Sequence, residues 1–356
     1  MWKLPSMRAA LSAVLGIVIG FSCSGARGRD LEPGCLSSPT EGEVRWTRGP
    51  EGDCAQLDSW CAAVGPPVLR PAPREVPDSR NGELAIVVWN IQLGAGAVES
   101  LVSDLRAGRL TDGRPVRHFA LLLQEVHRDL RGALAIAPPG SRAARRIAPK
   151  QRGLDVVSLA RDLDLHLFYV PSMRNGAEDR PAEDRGNAIV STLPLRDPWA
   201  LELPLERERR VAVAARVQLG PAGDDLLLVS AHLDNRSSWR RGPRSFGWGR
   251  TGQARWLADA LVGELAVALG GDFNTWLRGA DAGALRLLHQ SFPLPEVLPG
   301  RPTLIVPLFP DREVDHLFAR LPAGWKLGTR VVETSYGSDH RPLLGSLRPP
   351  PLGDVW

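Results

Sequence analysis

From Glu83 onward the chain alternates two kinds of hydrophobic pattern. Short runs of Val, Ile, Leu and Ala with no polar alternation are the mark of strands buried on both faces. Stretches in which apolar residues recur every three or four positions are the mark of amphipathic helices. Alternating the two predicts an α/β domain. The strands expected are Leu84 to Trp89, Phe119 to Leu123, Ala188 to Ser191, Val211 to Arg216, Leu226 to Ser230, Ala266 to Leu269, Val314 to Phe318 and Leu343 to Ser346. Helices are expected over Val98 to Arg106, Val156 to Leu163, Gln253 to Leu265 and Ala282 to His289. Pro293 to Pro310 reads as a proline-punctuated connector, and the end of the chain, residues 349–356, as a proline-rich tail.

A different pattern opens the chain. Lys3 and Arg8 precede an apolar run from Ala9 to Phe21, and small residues follow at Ser22-Cys23-Ser24-Gly25-Ala26. This order predicts a secretory signal over residues 1–26, and the run is shorter than the roughly 20 residues of a spanning helix. Cleavage after Ala26 would release the protein, whereas lipid attachment at Cys23 would tether it to a membrane. The expected location is therefore outside the cytoplasm: secreted, periplasmic or lipid-anchored to the envelope. Either event leaves Cys35, Cys54 and Cys61, an odd number where disulfides persist, so one pair and one leftover thiol are expected. These cysteines lie in a Pro-, Gly- and Ser-rich stretch, residues 27–80, which reads as a stapled extension ahead of a catalytic domain over 81–348. No His or close Cys pair accompanies them, which argues against a metal site there.

Composition narrows the class without naming a function. The chain has 356 residues, 43% hydrophobic and 24% charged, which suits a globular protein and excludes collagen-like, coiled-coil and wholly disordered chains. The formal charge of +4 falls to +2 once Lys3 and Arg8 are removed, too little to argue for nucleic acid. All but three of the 44 basic residues are arginine, a bias that a GC-rich coding sequence also produces.

The strand ends carry the chemistry. Leu84 to Trp89 runs into Asn90, Phe119 to Leu123 into Gln124-Glu125, Leu226 to Ser230 into Ala231-His232-Leu233-Asp234, and Ala266 to Leu269 into Gly270-Gly271-Asp272-Phe273-Asn274. Val314-Asp315-His316 and Ser338-Asp339-His340-Arg341-Pro342 follow. In α/β sheets ligands gather beyond the carboxyl ends of strands, so groups far apart in sequence converge there. Hard oxygen donors with no cysteine nearby suit Mg²⁺, with Mn²⁺ the alternative. Such a set can hold a metal, polarise a phosphoryl oxygen, orient water and move a proton.

Trp89-Asn90, Gln124-Glu125, Gly186-Asn187-Ala188-Ile189, Ser230-Ala231-His232-Leu233-Asp234, Gly271-Asp272-Phe273-Asn274, Val314-Asp315-His316 and Ser338-Asp339-His340-Arg341-Pro342 resemble the ordered motifs of the endonuclease/exonuclease/phosphatase superfamily. The resemblance spans about Glu83 to Leu347. It implies a four-layered α/β sandwich, two packed mixed β-sheets flanked by helices, and metal-dependent hydrolysis of phosphoester bonds. It further implies that Glu125 with Asn90 holds the metal, with Asp339 completing or neighbouring that site. Asp272 would position or activate water, Asn274 would bond phosphate or water, and His340 would contact the phosphate while Asp315 orients its ring. His232 resembles the second histidine of the deoxyribonuclease and sphingomyelinase branches, which serves the leaving group. Which group is the general base stays open.

Weaker candidates surround this set. Asn187 and Arg210 could touch phosphate, or be a turn amide and a solvated charge. His127, His166, His289 and Tyr169 read as packing or surface residues. The segment from Arg236 to Arg250 carries five arginines, three aromatics and no acid. Arg240 and Arg241 could there track a nucleic-acid backbone, or the segment could lie on phospholipid headgroups or merely cover the sheet. The leading expectation is an exported Mg²⁺-dependent phosphodiesterase acting on nucleic acid. The rivals are a lipid or small-molecule phosphoesterase and a non-catalytic phosphate-binding domain at the envelope; the intact set of acids and both histidines speaks against the last.

Overall fold

The computed structural model describes residues 35, 43–73, 83–129, 144–145, 155–175, 183–219, 224–235, 248–275, 282–296, 300–306 and 310–350. The expected signal and Cys23, the segment holding Arg240 and Arg241, and most of the tail lie outside them. The described elements, in chain order, are β1 (Arg45–Thr47), α1 (Cys54–Cys61), β2 (Val68–Arg70), β3 (Leu84–Asn90), α2 (Val98–Arg106), β4 (Phe119–Asp129) and β5 (Ala144–Arg145). Then come α3 (Val156–Asp162), β6 (His166–Asn175), β7 (Glu183–Ser191), β8 (Arg196–Glu202), β9 (Val211–Leu219), β10 (Asp224–His232) and α4 (Trp248–Ala260). The last are β11 (Val267–Asp272), α5 (Ala282–Ser291), β12 (Asp315–Arg320), β13 (Lys326–Val331) and β14 (Leu343–Arg348). No helix among the described residues is long and apolar enough to cross a membrane.

Two mixed sheets stack face to face. One runs β1-β8-β9-β10-β11-β12, the other β13-β14-β3-β4-β7-β6-β2, with β5 added on β6. β3 shows why the central strands are apolar throughout. Ile86 and Val88 enter the core between the sheets, against Val213, Leu228 and Ala268. Ala85, Val87 and Trp89 alternate to the other side and pack with Leu101, Leu105, Val156 and Leu159 of α2 and α3. On the second sheet, Val229 and Leu269 meet Leu257 and Leu288 of α4 and α5. The layers are thus helix, sheet, sheet, helix, the sandwich expected.

Three expectations change. Residues 27–80 are not an appendage over their described part, because β1 pairs in parallel with β8 and β2 pairs with β6, so one short stretch edges both sheets. Its cysteines are not one pair and a thiol: Cys35 is bonded to Cys61, Cys54 is disulfide-bonded as well, and no described cysteine is free. Finally, β4 does not end before Glu125. It continues to Asp129 across a register shift between Leu123 and Val126, a bulge that places Glu125 at φ 53°.

Candidate active site

Register assembles the site. Across β10, β11 and β12, His232 pairs with Asp272 and Asp272 with Asp315, so three residues distant in sequence stand side by side. In the facing sheet Asn90 pairs with Gln124, which places Glu125 next along the same rim. Glycine permits this closeness: a Cβ on Gly271 would lie 1.9 Å from the Ala231 carbonyl oxygen, and one on Gly270 would lie 2.4 Å from Val88 of the opposite sheet. Gln124 Nε2 donates to Ser230 Oγ at 3.0 Å, and that hydroxyl donates to the Leu123 carbonyl, fastening the sheets just beneath the site.

Asp272 is the centre. Its Oδ2 accepts from Asn90 Nδ2 at 3.0 Å and its Oδ1 from the Asn274 N–H at 2.9 Å. His232 Nε2 lies 3.4 Å and His340 Nε2 3.9 Å from Oδ2. Burial, followed by the charge of Asp315, raises the Asp272 carboxyl to about 7, against the opposing pull of His340 and the two hydrogen bonds. Asn274 sits at φ 52° and donates through Nδ2 to the Leu233 carbonyl, so its amide ties the turn after β11 to the one after β10.

His340 and Asp315 form a close pair, Nδ1 to Oδ2 at 2.7 Å. Burial works against a charged ring, but Asp315, by charge and by hydrogen bond, with Asp272 and Asp339, overrides it and lifts His340 to about 10. The ring is therefore an imidazolium whose Nε2–H faces the space between Asp272 and Asp339, 3.9 Å from each. Its backbone is clamped: Trp89 Nε1 donates to the His340 carbonyl, and Ser338 Oγ takes the His340 N–H while donating to the Asn90 carbonyl. His232 differs. Burial first, then Arg210, Arg185 and His340, holds it well below the ordinary imidazole range, so it is neutral. A cationic acid at the leaving group is therefore not its resting form.

Two groupings could take a metal. The ligand atoms of Asp272, Asp315 and His340 lie within 4.8 Å of one another. Asp315 and His340 already satisfy each other, however, and an imidazolium repels a cation. Glu125 and Asp339 suit a hard cation better. Asp339 is raised by burial and by the Glu125 charge although His340 pulls it down, so two carboxylates repel across a space that a cation would relieve. The Asn90 side-chain oxygen Oδ1, which accepts the Gln92 N–H at 3.0 Å, has a second lone pair for the same ion.

The weaker candidates meet protein partners. Asn187 donates to the Val211 carbonyl at 2.8 Å, tying one sheet to the other. Arg210 is buried, with Nη2 3.3 Å from Glu208. His127 meets Glu183 at 3.3 Å, His166 accepts from the Ala72 N–H, His289 bonds the Pro295 carbonyl, and Tyr169 is core. Arg250, counted in the arginine-rich segment, bonds the Asn235 carbonyl, while Trp248 beside it is 71% exposed.

The sequence hid several contributors. Thr303, inside the expected connector, accepts the Val314 and Asp315 N–H groups through Oγ1 and so seats Asp315. Thr275 Oγ1 meets His316 Nε2 at 3.0 Å and steadies the Asn274 turn. Glu208, which no motif marks, is held by Asp234 of the strand-end motif, whose Oδ2 accepts the Arg207 and Glu208 N–H groups. A threonine between prolines and an acid within a run of charge leave no periodic signal to detect.

No family model and no curated protein matches the chain at the sequence level. Solved structures do match its fold. An endonuclease/exonuclease/phosphatase protein from Beutenbergia cavernae DSM 12333 aligns over 76% of this chain and 72% of its own, with 20% identity and a TM-score of 0.53. D. rerio TDP2, solved with single strand DNA product, aligns over 75% and 99% with 17% identity and a TM-score of 0.46. The human Nocturnin catalytic domain aligns over 78% and 99% with 18% identity and a TM-score of 0.43. With the layered sandwich, and with the motif residues gathered at one end of its strands, the chain has the endonuclease/exonuclease/phosphatase fold.

Proposed function

We propose that the protein is an exported, divalent-cation-dependent phosphodiesterase with nucleic acid as substrate. The observation carrying this reading is the convergence at one rim of Asp272, held by Asn90 at 3.0 Å and 3.4 Å from His232, with the His340–Asp315 pair at 2.7 Å, beside the acids Glu125 and Asp339. Glu125, Asp339 and the Asn90 side-chain oxygen would hold Mg²⁺ or Mn²⁺. Once bound, the ion would polarise a phosphoryl oxygen and offset the charge that builds there.

The chain's own groups supply the rest. Asp272, fixed by Asn90 and Asn274, orients a water and takes its proton as the oxygen attacks phosphorus. His340 donates its Nε2–H to a non-bridging oxygen of that phosphate, and Asp315 keeps the ring aligned and charged. The bond to the leaving oxygen breaks, and neutral His232 donates a hydrogen bond to it. Asn274 steadies the water or the phosphate. A hydrogen-bond donor is least needed when the leaving oxygen is stable as an anion, so His232→Ala should slow ordinary diesters more than activated aryl ones.

The test is hydrolysis of bis(p-nitrophenyl) phosphate, plasmid DNA, RNA and sphingomyelin vesicles by the purified protein, with Mg²⁺ and with chelator. Cation-dependent cleavage of the first three is expected. Inactivity toward every substrate would return the chain to a phosphate-binding role, and activity confined to vesicles would make it a lipid enzyme.

A further inference from the structure

Beside His232 runs a buried row of charge that the hydrolytic step does not use. Arg185 Nη1 lies 3.9 Å from Glu125 Oε2, and its Nη2 lies 3.8 Å from Glu208 Oε2. The same Glu208 oxygen is 3.3 Å from Arg210 Nη2, so one carboxylate oxygen serves two guanidinium groups. Arg185 and Arg210 are each 7% exposed and Glu208 3%. Arg210 Nε is buried with no hydrogen-bond partner. Leaving a charged donor unmet in the interior is costly, so such a group in a native site calls for an occupant.

The row is built to stay in place. Asp234 pins the Glu208 backbone, and the Arg210 carbonyl accepts the Leu203 N–H at 2.9 Å. Both guanidinium charges bear on the His232 ring and help hold it neutral, and Arg210 directly precedes β9, whose Val213 pairs with Ser230 two residues before His232.

We infer that Arg185 and Arg210 form a subsite for a second phosphate of the substrate, the neighbour of the scissile one along a nucleic-acid strand. The inference rests on the phosphodiesterase reading and adds which substrate the site prefers. The planar Arg210 fork can give a phosphate two parallel hydrogen bonds, one of them from the idle Nε–H. Glu208 keeps the two guanidinium groups apart and partly neutralised until that phosphate arrives. A choline phospholipid would instead bring a quaternary ammonium toward two cations, so the same geometry disfavours it.

Steady-state rates on thymidylyl-thymidine, with and without an added 5′- or 3′-terminal phosphate, test the subsite. One added phosphate should raise kcat/KM roughly tenfold, the size of one charge-assisted contact. Arg210→Gln should bring that ratio close to one, and Arg210→Lys should keep part of it. Equal rates on all three dinucleotides by the parent protein would overturn the subsite while leaving the phosphodiesterase reading intact. No hydrolysis of any of them, nor of bis(p-nitrophenyl) phosphate, would overturn the reading beneath it. Calorimetry then decides the subsite without turnover: thymidine 3′,5′-bisphosphate should bind tighter than either monophosphate, and equal affinities would overturn it. If Arg210→Gln does not fold, the substrate ratio of the parent protein still gives the answer.

Discussion

Two groups of buried charge in the sandwich follow opposite rules. Arg128 on β4 and Asp184 on β7 face each other in register, and every arm is met. Asp184 Oδ1 accepts from Arg128 Nε at 2.9 Å and from the Tyr169 hydroxyl at 2.8 Å, while Oδ2 takes Arg128 Nη2 and the Gly65 N–H. Where the strand ends of the two sheets meet, the bookkeeping fails. Glu125 faces Asp339, Asp272 faces Asp315, Asp315 Oδ1 and Arg210 Nε have no partner, and Glu125 and Asn274 adopt left-handed backbone. A third set resembles the first: fully buried Arg209 meets Glu202 at 2.8 Å and Glu202 meets Arg48 at 2.7 Å, locking β1 onto the sandwich. Paired charge holds the scaffold together. Unbalanced charge marks where something else must bind.

The sharpest break of this comparison is to remove one charge from each group. Asp272→Asn and Glu125→Gln should each lower kcat by roughly 10²–10⁴, the range of a lost acid–base or comparable catalytic group. Raised Mg²⁺ should recover part of the Glu125→Gln loss, and no other. Stability should fall far less than activity, because Asp272 loses repulsion from Asp315 along with its attraction to His340, and Glu125 meets Arg185 only at 3.9 Å; a stability loss matching the activity loss would make these acids structural. Asp184→Asn should do the reverse. It strands the buried Arg128 and should cost about 3–5 kcal/mol of unfolding free energy, read from urea melts.

A smaller effect lies in pH. Asp272 sits near 7 in the fold against ~3.9 unfolded, and His340 near 10 against ~6.5, so the folded state binds the extra protons in both cases. With chelator present, their stability contribution is complete at low pH. It is lost as pH rises, first across ~4 to 7 for Asp272 and then across ~6.5 to 10 for His340. His340→Asn should flatten the upper part of that decline; an unchanged slope would mean that the ring is not held charged. Smallest of all, Asp58→Asn removes an ion pair to Arg48 whose acid is 46% exposed, and should shift stability by less than about 1 kcal/mol. A larger loss would mean that the α1 edge is as tightly built as the Asp184 cluster.

The amino-acid sequence by itself determined the α/β alternation and the polar residue ending each central strand. Both are local: a strand covered on two faces must be apolar along its length, and its first polar residue shows where cover stops. Asn90, His232 and Asp272 were legible for that reason; Asn274 lies just past such an end, and Asp315, Asp339 and His340, which open or precede their strands, were legible only through the motifs of the family resemblance. Only the tertiary structure decided which of them touch. His232, Asp272 and Asp315 are brought abreast by strand register, and register depends on partners scores of residues away. The same holds for the bulge that sets Glu125 in left-handed backbone, for Thr303 in a proline-rich connector that nonetheless seats Asp315, and for a short cysteine-bearing stretch that edges both sheets. It holds most clearly for Arg185, Glu208 and Arg210. In one dimension Arg185 and Glu208 are ordinary charges and Arg210 only a weak phosphate candidate; burial, a property of neighbours rather than of residues, is what sets the three together.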